Sequence, residues 1–98
     1  MSVAAEIIEV GRESWRLVVE NQGPGVARSI IVTFDGEPAR GHAGWAAGQP
    51  AFSPLAEGTS DSHDLIWALG TEWPTTVGVS WIDAQDRAFG RIMGRADR

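Results

Sequence analysis

His42 and His63 are the chain's two imidazoles, and hydrolytic or metal-assisted chemistry would have to pass through one of them. His63 stands in Asp61-Ser62-His63-Asp64, just after Ser60. An extended backbone sends neighbouring residues to opposite faces, so this run does not bring three metal ligands to one side. It places His63 with Leu65 and Trp67, which predicts a partly buried histidine at a strand end with one hydrogen bond. Calcium would need Glu57, Asp61, Asp83 and Asp86 to meet at one end of the fold, and no loop has the regular Asp-rich spacing. There is no Gly-x-Ser-x-Gly elbow, phosphate loop or dinucleotide fingerprint. These residues lead us to expect no enzyme, no metal and no cofactor. A hydrolase centred on His63 is the third of three functional classes carried forward.

The five tryptophans are the more informative chemistry. Trp15, Trp67 and Trp81 fall on alternating apolar faces and are expected in the core. Trp45 and Trp73 fall in loops, with His42 near the first. Trp45, Trp73 and His42 are therefore the candidate binding residues. An open loop ring serves as an interface anchor or as a platform for a sugar. The alternative is that each ring folds back to plug an open end.

The elements that must position these residues show a period of two. From Ser14 to Glu20, Trp15, Leu17 and Val19 share one side, the signature of a half-buried strand. Asn21-Gln22-Gly23-Pro24-Gly25 breaks the chain: Asn21 can bond its own backbone, and Gly23 and Gly25 supply positive φ. Ile30, Val32 and Phe34 mark a second strand over Ala27 to Phe34, closed by the turn Asp35-Gly36-Glu37-Pro38. Val3 to Val10 is read as a first strand. Asp61 to Leu69 and Thr76 to Asp83 alternate again. Asp83-Ala84-Gln85-Asp86 suits a hairpin loop before a returning strand, Arg87 to Met93, anchored by Phe89. Gly94 to Arg98 is expected to fray. Residues 36–60 hold five Gly, three Pro and six Ala and are read as one long loop with a short edge strand near Ala51 to Leu55.

Six or seven short strands with frequent turns, and no convincing helix, predict an all-β fold, an antiparallel sandwich formed by one domain over 1–98. Ile31, Ile66 and Ile82 then fall on outer faces. If gathered, they would form an exposed patch that favours self-association or a partner.

Composition narrows the classes further. The chain has 98 residues, a net charge of −5, eight basic residues that are all Arg, and no Cys. The arginines are scattered, and the last four are interleaved with Asp83, Asp86 and Asp97, so no basic stripe for nucleic acid is expected. Without cysteine there is no disulfide and no thiolate site. No apolar run approaches the roughly 20 residues of a membrane helix, and no basic start precedes an apolar stretch. A cytoplasmic location is expected as written, or an extracellular one for a domain cut from a longer chain.

The passage Trp15-Arg16-Leu17-Val18-Val19-Glu20-Asn21-Gln22-Gly23-Pro24-Gly25-Val26-Ala27-Arg28-Ser29-Ile30-Ile31-Val32 resembles the strand, Asn-x-Gly, Ala, strand passage of bacterial immunoglobulin-like domains, including CARDB-type adhesion modules. Pro54-Leu55-Ala56-Glu57-Gly58-Thr59-Ser60 is similar to the Leu-x-x-Gly-x-Ser passage that leads into their middle strand. Val77 to Asp83 followed by Arg87 to Arg91 looks like their final hairpin. The chain lacks the paired Cys and the Tyr of antibody-type domains. The resemblance implies an immunoglobulin-like sandwich used for adhesion, spacing and protein contacts, and it brings no catalytic residues. The leading expectation is a non-enzymatic protein-interaction or structural module, binding a protein partner or a second copy. The second class is a small carbohydrate- or ligand-binding domain using the loop tryptophans.

Overall fold

A computed structural model describes residues 2–11, 14–41, 45, 52–66 and 74–95. Seven strands are present among them: β1 (Ser2–Gly11), β2 (Ser14–Gly23), β3 (Arg28–Phe34), β4 (Glu37–Pro38), β5 (Ser60–Ile66), β6 (Thr76–Ile82) and β7 (Ala88–Arg95). All pairings are antiparallel. One sheet has the order β1-β2-β5 and the other β4-β3-β6-β7. The fold class expected from the period-two pattern is the one observed, an all-β sandwich. No helix among the described residues is long and apolar enough to cross a membrane.

The core lies where the alternating apolar side chains of the two layers meet. Val3, Ala5, Ile7, Leu17, Val19 and Leu65 face inward from the first sheet, and Ile30, Val32, Phe34, Val77, Val79 and Trp81 from the second. Burying a large aliphatic or aromatic side chain contributes roughly 1.5–3 kcal/mol. Such burial, rather than local propensity, carries a fold whose β-pairings join distant segments. Trp81 stacks on Phe89 across the β6–β7 pair with ring centroids 5.7 Å apart. Trp15 is half-buried and packs on the edge of this core.

Asn21 ties the two ends of the first sheet's connections together. It is fully buried. Its Nδ2 donates to the carbonyls of Gly25 at 2.7 Å and Leu55 at 2.9 Å, and its Oδ1 accepts from the Gly23 N–H at 2.9 Å. Its own N–H reaches the Thr59 carbonyl at 2.9 Å, and its carbonyl accepts from the Gly58 N–H at 2.8 Å. Gly23 has φ of +80°, and a Cβ there would lie 2.7 Å from Cγ of Glu57, so both conformation and space demand glycine. The chain then crosses to the second sheet.

Several boundaries differ from the sequence pattern. Glu37–Pro38, read as turn, pairs with Thr33 and Phe34 as β4, because Asp35 and Gly36 both take positive φ and close a two-residue hairpin. Ala39–Gly41 follows as a single 3-10 turn. The segment 36–60 is therefore not wholly irregular. Its expected edge strand is reduced to one bridge, Leu55 to Ala27, and Ala51 lies outside the described residues. β7 continues through Gly94 and Arg95, where fraying is expected, because Arg95 pairs with Thr76. β5 is described to Ile66; Trp67 and Leu69 lie outside the described residues.

Candidate functional site

Of the three candidate binding residues, Trp45 is described, and His42 and Trp73 lie outside the described residues. Trp45 is half-buried and forms an isolated antiparallel bridge to Leu65, which carries the first sheet one step beyond β5. Its indole meets Phe52 edge-on at 6.2 Å and 80°, and His63 at 5.2 Å and 65°. The Phe52 and His63 rings stack at 4.1 Å and 15°. Trp45 thus folds back against the core, the second of the two placements open to a loop ring. His63 is buried, and its Nδ1 lies 2.6 Å from the Ser62 carbonyl, so that nitrogen is the donor. Neighbouring Asp64 pairs with Arg16 at 3.3 Å on the outer face.

This ring cluster forms one wall of an apolar cavity of about 230 Å³. β3 supplies Ile30, Ile31 and Val32, the stretch from β4 into the 3-10 turn supplies Pro38, Ala39 and Arg40, and Trp45 and Phe52 stand opposite. Its position follows from the pairing. On that side β3 is covered at Ala27 by Leu55 and at Thr33 and Phe34 by β4, and nothing described pairs with it between them. Phe52 and Arg40 are lining residues that no strand pattern marks. Both lie in a Gly-, Ala- and Pro-rich stretch with no periodicity, which carries no signal of what it packs against.

The second feature is the outer face of the four-stranded sheet. Register brings Ile31, Ser80 and Gly90 into one row, and Pro38, Thr33, Gly78 and Ile92 into the next. Neither row contains a charge. Ile31 is 53% exposed and Ile92 73% exposed. Thr33, Gly78, Ser80, Gly90 and Arg91 border an open depression beside Ile92. The row beyond holds half-buried Ile82, exposed Ala88 and Arg28. A bulge at Ser29, whose φ is +51°, brings Arg28 opposite Ile82. The outer face of the other sheet is different: Glu20, Glu6, and the Arg16–Asp64 pair put a charge in each of three successive rows. Ile66 belongs to that face and is 60% exposed. Ile31, Ile66 and Ile82 therefore do not gather. Alternation gives the parity of a residue but not its sheet, and Ile92 is the residue that joins Ile31 and Ile82.

The acidic residues weighed for calcium have other partners. Glu57 Oε1 accepts from the Gly25 N–H at 2.9 Å. Asp83, buried, accepts from the Gln85 N–H at 3.0 Å, and from the Arg87 N–H and Nε at 2.9 Å each. Burial works against the Asp83 charge, but the Arg87 and Gln85 hydrogen bonds outweigh it and hold the carboxyl below the ordinary carboxylate value. Arg28 bonds the Asp83 carbonyl at 2.9 Å and pairs with the Asp86 carboxylate. Among the described residues no three His, Cys, Asp or Glu side chains form a group able to hold a metal ion.

No protein-family model, no curated protein and no solved structure matches this chain, so its function has to be argued from these two surfaces.

Proposed function

We propose that this chain is a non-enzymatic interaction module of the bacterial immunoglobulin-like kind, and that its outer four-stranded face docks a second copy of itself. The observation that carries this reading is the charge-free pair of rows on one face of a protein of net charge −5. Burying charge without a partner is costly, so a face that is to be covered is best left uncharged. A two-fold contact also requires a surface complementary to itself. Here the projecting Ile92 and the depression bordered by Gly78 and Gly90 lie side by side, so each copy offers the other a knob and a hole.

Two further points support the immunoglobulin-like part of the reading. The chain passes from one sheet to the other between β2 and β3, as in sandwiches of that architecture. Two of the three passages that carry the resemblance, around Asn21 and around Leu55 to Ser60, meet in space through the Asn21 hydrogen bonds. A hydrolase centred on His63 is disfavoured, because one ring face is covered by Phe52 and Nδ1 is engaged by a main-chain carbonyl.

The test is a concentration series of amide spectra. Ile31, Ser80, Gly90 and Ile92 should shift together as concentration rises, while Glu6, Val18 and Ser62 on the opposite face stay still. Shifts confined to the charged face, or none at millimolar concentration, would contradict the proposal.

A further inference from the structure

We propose that the cavity beside Trp45 binds a small apolar carboxylate, with its alkyl or aryl chain between β3 and Phe52 and its carboxylate on Arg40. The inference stands on different observations from the docking face. First, the walls formed by Ile30, Val32, Ala39, Trp45 and Phe52 offer an occupant no polar side chain except the indole N–H. Such a lining selects for apolar surface. Second, the volume of about 230 Å³ sets the size. A cavity of roughly 150 Å³ accepts benzene, whereas drug-sized ligands need about 300–1,000 Å³. One ring with a short chain is the scale that fits.

Third, Arg40 is the single charged residue among the described residues of the lining, and it is exposed. Arg16, Arg28 and Arg87 each pair with an aspartate, whereas Arg40 makes no ion pair with a described residue. A guanidinium beside an apolar wall recognises a carboxylate through two parallel charge-assisted hydrogen bonds. The chain's net negative charge would repel an anion at long range, but screening over about 8 Å at physiological salt leaves the close Arg40 contact to decide. Fourth, the site is held from behind: His63 stacks on Phe52, and the bridge to Leu65 fixes the backbone of Trp45.

The experiment titrates the full chain with 3-phenylpropionate and, separately, with 3-phenylpropanol, which has the same skeleton without the charge. The readout is the indole N–H signal of Trp45 and the amides of Ile30 and Ala39. Saturable shifts of those signals are expected with both, and the acid should bind about tenfold more tightly. Arg40→Gln should bring the acid to the level of the alcohol and leave the alcohol unchanged. Ala39→Phe, which fills the cavity, should abolish both; Arg40→Gln, at an exposed position, keeps the test independent of how that variant folds. The proposal is overturned if neither compound shifts the Trp45 signal at millimolar concentration, or if acid and alcohol bind equally and Arg40→Gln changes nothing.

Discussion

The side-chain amide of Asn21 donates to the main-chain carbonyl of Leu55, thirty-four residues away, at 2.9 Å. This one bond joins the end of β2 to the chain that leads into β5, and the same amide also holds the Gly25 carbonyl. Asn21→Ala would leave the buried Gly23 N–H without its partner and take one donor each from the Leu55 and Gly25 carbonyls. The expected loss is about 2–4 kcal/mol of stability, measured by denaturant unfolding. Asn21→Asp keeps the acceptor and loses the donor, and it turns a carboxylate toward two carbonyls. It should cost at least as much. An Asn21→Asp variant as stable as the parent would show that the donor role has been misread.

Gly78 sits where the backbone of β6 passes Thr33. A Cβ at 78 would lie 2.5 Å from Thr33 Oγ1. Gly78→Ala should therefore destabilise by roughly 1–3 kcal/mol, the scale of overpacking at a close contact. Thr33→Ala removes the obstructing atom. The double variant should recover most of the loss, a non-additivity that a double-mutant cycle measures directly. Additive effects would place the strain elsewhere.

The β6–β7 hairpin makes a prediction about pH. Asp83 has its carboxyl lowered in the folded state, so the unfolded chain takes up the proton first as pH falls. Its contribution is fully present above the unfolded value of 3.8 and is lost as pH drops through the lower folded-state value. Asp83→Asn should lower the melting temperature near neutral pH, and the gap to the parent should narrow progressively below about pH 4. A gap that stays constant down to pH 2 would mean that hairpin geometry, not the carboxylate charge, is what the variant removes.

What the residues revealed in advance divides along physical lines. Leu17 and Val19, or Val77, Val79 and Trp81, alternate over a whole strand, and a pattern repeated along one segment is legible from that segment alone. The turn at Asp35-Gly36 is legible for the same reason, since both residues tolerate positive φ. The partner of that turn is not legible: Glu37–Pro38 has no strand character, and β4 exists because the hairpin returns it to β3. Gly94 and Arg95 join β7 by the same kind of tertiary pairing. Asn21 is legible as bonding its own turn, and the Gly23 bond is of that kind, but nothing near it in sequence announces Leu55. Trp45 reads from the sequence as a loop ring with two open placements, an exposed platform or a plug against the core. The choice was made by Phe52 and His63, which approach it from segments whose spacing carries no information about one another. Of the candidate surfaces, Ile31 and Ile82 were legible, whereas Ile92 sits between Arg91 and Met93 in a strand marked mainly by Phe89.

The measurement that bears most directly on the docking face is sedimentation velocity over a range of concentrations for the parent chain and for Ile92→Asp. The exposed position of Ile92 means that the fold should tolerate the change, and a charge placed in the uncharged rows must be buried for two copies to meet. The parent should shift reversibly from monomer toward dimer as concentration rises, and Ile92→Asp should weaken that association at least about tenfold, some 1.4 kcal/mol. A parent chain that sediments as a monomer at every concentration, or a variant that dimerises as well as the parent, would contradict the account.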